Sequence, residues 1–421
     1  MELMLIAGLL VVVSAMLAAM GFRGREQVVG IDLGTTFSVV ALKSGEKVSV
    51  LPDYRSGGLL VPSVVTFLEN GSTVVGRPAV ALRDELPLHT IFNAKRFIGR
   101  LLDEVGDDAR KHPYRVAGNG TAGDGGSEAT DPVLAGFSIP GGAAGGADRW
   151  VSPVEVGAEV VRQLKRSIEE HIGYPISRAV ICVPAKFAAK ESKATQQAFE
   201  QAGFKVARVL EEPTAAAVAY NLHKGSGTRY VLVYDIGGGT LDTSLLYMNG
   251  RSVSVLGVAG DDHLGGSDFD QKMREVLEAK LPSAEPLPPA RAGAPPPPHR
   301  CHSHGLLILG EEAKIALSSQ DSVTVECLGE DGQGRSIHVT RAEFEEACAE
   351  LFERSMAPVE KVLADQMMTS DNVDDVVLVG GASRTPRLRA LLQAFIGPGK
   401  KLHTEIDPDV TVAYGAANIV D

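Results

Sequence analysis

Cysteine is scarce in this chain. There are four in 421 residues, too few for a disulfide framework. Basic excess is missing too: 41 Lys and Arg stand against 53 Asp and Glu, a net charge of −12. Without a basic patch, nucleic acid is set aside as a partner. No P-loop lysine motif occurs, so any bound phosphate must find other donors. No lysine or arginine precedes the first apolar run; only Glu2 does. No second ligand pair accompanies Cys301-His302-Ser303-His304, which therefore reads as loop and not as a metal site. Cys182 lies in an apolar strand and reads as a core thiol.

What is present is ordinary globular material, 44% hydrophobic and 22% charged. The length suits two or three domains, or one large bilobed unit. Residues 3–20 are almost wholly apolar, the lower limit for spanning a bilayer. Ala18, Ala19 and Gly21 near the end of the run are small, as a cleavage site needs. A helix apolar on every face would have nowhere to pack ahead of a complete domain. Residues 1–22 are therefore read as a signal peptide or N-terminal anchor. The sequons at Asn70 and Asn119 agree with a secretory route.

Along the chain, β-hairpins alternate with amphipathic helices, an α/β pattern. The spacing predicts helices over 154–172, 188–202, 214–222 and 386–395. It predicts strands over 178–184, 206–210 and 374–379. Residues 117–149, rich in Gly, Ala and Asp, read as a mobile loop. Residues 282–305, rich in proline, read as a polyproline-type insertion.

One signature occurs twice: Gly30-Ile-Asp32-Leu-Gly34-Thr35-Thr36 and Asp235-Ile-Gly237-Gly238-Gly239-Thr240. Each is an apolar run, an aspartate, a glycine turn and a second β-rich run. Glycine turns let backbone N–H groups reach phosphate oxygens where no Cβ blocks approach, and threonine hydroxyls add donors. The aspartates Asp32 and Asp235 suit a hydrated Mg²⁺, which keeps several waters when phosphates also bind it. Glu212, ahead of Pro213, is a third acid that could orient water, or simply a carboxylate favoured at a helix start.

A set of further motifs then appears in order. They are Asn93-Ala-Lys95-Arg96-Phe-Ile-Gly-Arg100, Val183-Pro-Ala185, Glu212-Pro-Thr-Ala-Ala-Ala217, Asp235–Thr240 with Asp242, His263-Leu-Gly-Gly-Ser-Asp-Phe-Asp270, Val379-Gly-Gly-Ala-Ser-Arg-Thr-Pro386 and Asp407-Pro-Asp409. Together with Gly30–Thr36 they resemble the ATPase domain of the seventy-kilodalton heat-shock chaperone family over about residues 28–418. The N-terminal hydrophobic segment ahead of an ATPase core resembles a microsomal branch of that family.

The resemblance implies an actin-like (ribonuclease H-like) bilobed ATPase, with lobe I at 27–211, lobe II at 212–421 and a central nucleotide cleft. It implies ATP or ADP with Mg²⁺ held through water by Asp32 and Asp235, and a monovalent cation such as K⁺ near Asp242. Gly34, Thr35, Thr36, Phe37, Gly237, Gly238, Gly239 and Thr240 would face the phosphates, with Gly266 beside them. Lys95, Glu212, Asp235 and Thr240 would be catalytic, by positioning and electrostatics. Glu311, Lys314, Ser318, Gly381, Ala382, Arg384 and Asp409 would hold the nucleoside.

The sequence departs from the family pattern at four places. Phe37 stands for a usual Tyr, and Asn93 for an Asp. Ile315 replaces a basic residue over the adenine, a cation–π contact worth about 1 kcal/mol. The Pro-rich segment 282–305 stands where the family has a helix leading to Glu311, Lys314 and Ser318.

The leading expectation is a Mg-dependent, slow ATP hydrolase of the endoplasmic reticulum or microsome, switching conformation with nucleotide. The alternative is a non-hydrolysing nucleotide sensor or scaffold for chaperone-system components. A sugar kinase of the same superfold finds no residues for a sugar pocket. Nucleotide-exchange or co-chaperone proteins are the expected partners, with membrane contact only through the N-terminal segment if uncleaved. No peptide-binding domain follows, so direct binding of unfolded clients is not expected.

Overall fold

The computed structural model describes residues 2–19, 27–119, 133–141, 147–225, 227–250, 252–286 and 299–419. Two sheets of the same design organise it. In the first, an antiparallel meander (Val28–Leu33, Phe37–Ser44, Lys47–Val50) is extended by two parallel strands, Arg178–Val183 and Lys205–Glu211. In the second, the meander Thr228–Ile236, Leu241–Asn249, Ser252–Asp261 is extended by parallel Asp375–Val379 and Lys401–His403. Strand order, direction and connection repeat, although the residues do not.

The periodicity of the sequence explains the main elements. Pro153–Ile172 buries Val156, Val160, Leu164 and Ile168 on one stripe against the first sheet, and Ser152 caps it by accepting from the N–H of Glu155. Ala189–Gln201 and Pro386–Ile396 lie near their predicted ranges. Helix 214–222 is shorter than predicted, at Glu212–Ala219.

After the last strand of each sheet comes a short helix, Glu212–Ala219 and Thr411–Asn418. These two cross each other between the lobes. The first is rich in alanine and the second combines alanine with Gly415, because the axes come very close: a Cβ at Gly415 would overlap the carbonyl oxygen of Ala215. Gly30, on the first strand, admits the backbone of Ala417 in the same way. Thr411–Asn418, late in the sequence, thus packs on the first sheet, so the spatial lobes interleave beyond the sequence position 211/212.

Two expectations need correction. Residues 117–149 are not simply a loop. Arg115–Gly118, Ala135–Ile139 and Arg149–Val151 form a three-stranded sheet, with Phe137 fully buried. Gly136, which suggested looseness, makes room for the Trp150 ring, and the Trp150 indole donates to the carbonyl of Ala117. Residues 120–132 and 142–146 of that stretch lie outside the described residues.

The Pro-rich stretch is likewise ordered at both ends. Glu285–Pro286 pairs with Arg335 and Ser336, and Arg300 bridges Leu328. Cys301 is joined to Cys327 by a disulfide. The His302 ring then caps a helix, Ser303–Leu317, accepting from the N–H of Gly305. Capping by a histidine and a contact 26 residues away carry no local sequence signal; residues 287–298 lie outside the described residues.

The N-terminal helix Glu2–Ala19 exposes Ile6, Leu9, Leu10, Val11, Val12, Val13 and Met16. Among the described residues, no helix is long and apolar enough to cross a membrane.

Gly415→Ala should lower stability by about 2–3 kcal/mol, because backbone must move to admit the methyl group; urea unfolding would measure it, and an unchanged midpoint would refute the close crossing. Replacing Cys301 and Cys327 together by serine should lower stability by about 3 kcal/mol, the chain-entropy figure for a loop of this size, read from the same transition.

Candidate nucleotide site

A single cleft of about 1060 Å³ runs between the lobes. Every phosphate, metal and nucleoside position expected from the sequence lies on its wall, from Asp32 and Thr35 to Arg384 and Asp409. The two hairpins face each other across it. At Gly238 any side chain would strike the Thr36 hydroxyl of the opposite lobe, so this glycine lets the turns close on one another. The second turn is held from behind: Gly266 N–H donates to Gly237 O at 2.8 Å and Ser267 N–H to Gly238 O at 2.8 Å.

Lys95 sits on a one-turn helix, Ala94–Phe97, and reaches across the lobes to Glu212 at 2.7 Å. Both side chains are nearly buried, at 8% and 13% exposure. Burial works against the charge of Lys95, but Glu212 and Asp32 hold its pKa above the ordinary value. Pro213 follows Glu212 at the helix start, where its missing N–H costs no hydrogen bond.

The carboxylates are short of positive charge. Burial pushes Asp32 up to about 7, with Lys95 opposing and Glu212 adding to the shift. Burial also pushes Asp235 well above the usual range, helped by Glu212, Asp242 and Asp32. Three largely covered carboxylates thus surround one ammonium, which contacts Glu212 and acts on Asp32 and Asp235 through space, and one oxygen of Asp32, Oδ1, is buried with no hydrogen-bond partner in the structure. Among the described residues no three His, Cys, Asp or Glu side chains converge as a direct metal-ligand set. That combination fits a hydrated dication held by Asp32 and Asp235, chiefly through water.

The residues expected to hold the nucleoside line the cleft despite the Pro-rich stretch. Glu311, Lys314 and Ser318 fall on one face of the helix Ser303–Leu317, which packs on Gly266–Lys280 at Gly310. Lys314 pairs with Asp270 at 2.6 Å and donates to Gly266 O at 3.2 Å. Opposite, Arg384 pairs with Asp409 at 2.8 Å and with Asp407, and Gly381 sits tightly against the Asp409 carboxylate. Ile315 lies on the cleft wall 61% exposed, an apolar platform where the family pattern has a cation. Asn93 turns its amide to the His112 ring at 3.1 Å. Phe37 is also exposed on the wall.

Sequence reasoning missed a set of contacts at the mouth. Arg96 donates to the carbonyls of Gly239, at 2.6 Å, and Asp262, at 2.8 Å. Lys186 pairs with Asp242 at 2.8 Å and with Asp262. Lys186 follows a parallel strand by three residues, and the carboxyl ends of such strands are where α/β sheets bind ligands; that position was the available signal. The place near Asp242 expected to take K⁺ is thus occupied by an ammonium.

Of the sequons, Asn70 is exposed in a turn, where its side chain accepts from Ser72. Asn119 accepts from the N–H of Leu134 at 2.6 Å, while Gly120 and Thr121 lie outside the described residues.

A family model described as Hsp70 protein matches residues 28–421. The chain belongs to the Hsp70 family. It is similar to heat shock 70 kDa protein BIP3 of Oryza sativa subsp. japonica, 38% identical over 406 residues. That alignment covers 93% of this chain and 56% of the relative, so the chain spans little more than half the relative's length. The duplicated sheets are the actin-like architecture of an Hsp70 ATPase domain, as the resemblance implied. Hsp70 family members are ATPases.

The raised carboxylate of Asp32 has a pH signature. Its folded pKa of about 7 exceeds the ordinary 3.8, so the folded state binds the proton more tightly. Its contribution to stability is present below about pH 4 and lost as pH rises toward 7. Metal-free protein should lose stability over that range, and Asp32→Asn should flatten the decline. Unfolding midpoints in denaturant that stay the same at pH 5, 6 and 7 would contradict the assignment.

Proposed function

We propose that this chain binds ATP with Mg²⁺ in the interlobe cleft, hydrolyses it slowly and changes lobe closure with the nucleotide state. The observation that carries this is the Lys95–Glu212 pair, 2.7 Å apart, set between two opposed aspartate–glycine hairpins. The hairpin N–H groups and threonine hydroxyls would bind phosphate oxygens from both lobes. Lys95 would hold its ammonium against the terminal phosphate, where negative charge must be balanced. Glu212, tethered by Lys95, would orient the attacking water. Asp32 and Asp235 are the residues that would hold Mg²⁺, which when bound offsets phosphate charge. Catalysis of this kind is mostly preorganised electrostatics.

Closure couples to nucleotide because the ligand would touch both lobes at once. Lys95, Arg96 and Lys186 link the lobes across the cleft, contacts that a phosphate chain would join or displace. Nucleotide-exchange and co-chaperone proteins that read lobe position are the partners this implies.

The secretory pathway, at the endoplasmic reticulum, is the location we infer. The exposed apolar helix Glu2–Ala19 agrees with a leader. The Cys301–Cys327 disulfide independently agrees with an oxidising compartment.

A second reading has its own support. Exposed Ile315 replaces a charged stack on the base, and Asn93 is engaged by His112. These would suit a nucleotide sensor that hydrolyses little.

Lys95→Ala should cut Mg-dependent phosphate release at least about 100-fold, the scale of losing one preorganised electrostatic group. Calorimetry with Mg-ADP, alongside thermal melting to verify folding, separates the readings. No Mg-dependent nucleotide binding by the unmodified chain would sink both. Binding with phosphate release no higher than the Lys95→Ala level would leave the sensor.

A further inference from the structure

The resemblance to the heat-shock family implies a monovalent cation beside Asp242, and the residues present do not fit one. The Lys186 ammonium lies 2.8 Å from Asp242 Oδ1 and also hydrogen-bonds Asp262. We propose that Lys186 is a tethered monovalent cation of this cleft, standing in place of K⁺, so that nucleotide binding here does not depend on K⁺. The inference rests on the reading of the cleft as a Mg-nucleotide site.

The chemistry supports the exchange. An ammonium and K⁺ carry the same charge, are of similar size, and both seek oxygen. Lysine presents that charge as a compact point with three rotatable donors. Lys186 hydrogen-bonds Asp262 and lies 2.8 Å from Asp242 Oδ1, and its ammonium keeps donors for a phosphate oxygen. A third of the Lys186 side chain is exposed, and the residue lies on the cleft wall with Thr240 and Gly239. Its charge is secure: burial opposes it, but Asp242 and Asp262 raise its pKa above the ordinary lysine value.

The geometry also differs from a free ion in one respect. Lys186 comes from lobe I, after the strand Arg178–Val183, while Asp242 and Asp262 belong to lobe II. A diffusible cation belongs to neither lobe, whereas Lys186 is fixed to lobe I and pairs with carboxylates of lobe II. A lysine makes the cation site itself a bridge, and its position reports whether the lobes are closed.

The test compares Mg-ADP binding by calorimetry in KCl and in choline chloride at matched ionic strength. The unmodified chain should bind with affinities within about twofold, since only general screening acts on both. Lys186→Gln should bind about tenfold more weakly in choline chloride, the loss of one charge-assisted contact, and should recover in KCl as K⁺ enters beside Asp242. Lys186→Arg, which keeps a tethered charge, should stay indifferent to K⁺.

Tenfold K⁺ dependence in the unmodified chain would overturn the proposal, whether or not any variant folds. So would a folded Lys186→Gln that binds like the unmodified chain in both salts. Failure of the unmodified chain to bind Mg-ADP in either salt would instead overturn the nucleotide-site reading on which the proposal stands.

Discussion

The arrangement depends on charge that the fold cannot balance alone. Asp32, Asp235 and Glu212 are drawn into one buried space, and Lys95 is the ammonium set among them. Burying like charges is among the most expensive things a protein does, unless a partner neutralises them. In the function we propose, part of the neutralisation would come from protons without ligand and from a dication with it. The instability is local, and it is placed where a ligand relieves it. That makes the cleft a receptor for positive charge first and for phosphate second, the two arriving together as a metal–nucleotide complex.

Such a site needs lobes that can approach without collapsing. The alanine- and glycine-built crossing of Glu212–Ala219 and Thr411–Asn418 supplies the fulcrum. Small side chains let the helices touch backbone to backbone, which fixes their separation more rigidly than long side chains would. Glu212 stands at the first position of one of these helices. Its carboxylate is therefore aimed by the crossing itself, while Lys95 arrives on the one-turn helix Ala94–Phe97 of the first lobe. In the function we propose, the residue that would orient water and the crossing between the lobes share one element.

How much of this was legible in the sequence follows from how local each feature is. The aspartate–glycine hairpins show plainly, because strand, carboxylate and turn lie within seven residues. Lys95 and Glu212 gain meaning only from their motifs; a lone lysine and a lone helix-start glutamate are ordinary surface residues. The duplication of the two sheets was readable as a repeated order of elements, without repeated residues. By contrast, Gly136 looked like slack and proved to be space for Trp150. Cys301 looked like loop chemistry and proved to be half of a disulfide. The Lys186 contacts with Asp242 and Asp262 join residues 56 or more positions apart, across two lobes. Each of these depends on what the chain meets after folding, and composition in a short window carries no trace of it.

The small sheet beside the cleft helix has a consequence for how this chain can change over generations. Glu285–Pro286 is pinned to Arg335 and Ser336, and Arg300 and Cys301 to Leu328 and Cys327, on the same pair of strands. Whatever sequence joins those two anchors starts and finishes at fixed points. The entropy of closing such a span grows only slowly with its length. The anchors hold the start of Ser303–Leu317 independently of the length of chain between them. The chain carries a region open to evolutionary experiment within sight of its nucleoside wall, insulated from it by two strand pairings and one covalent bond.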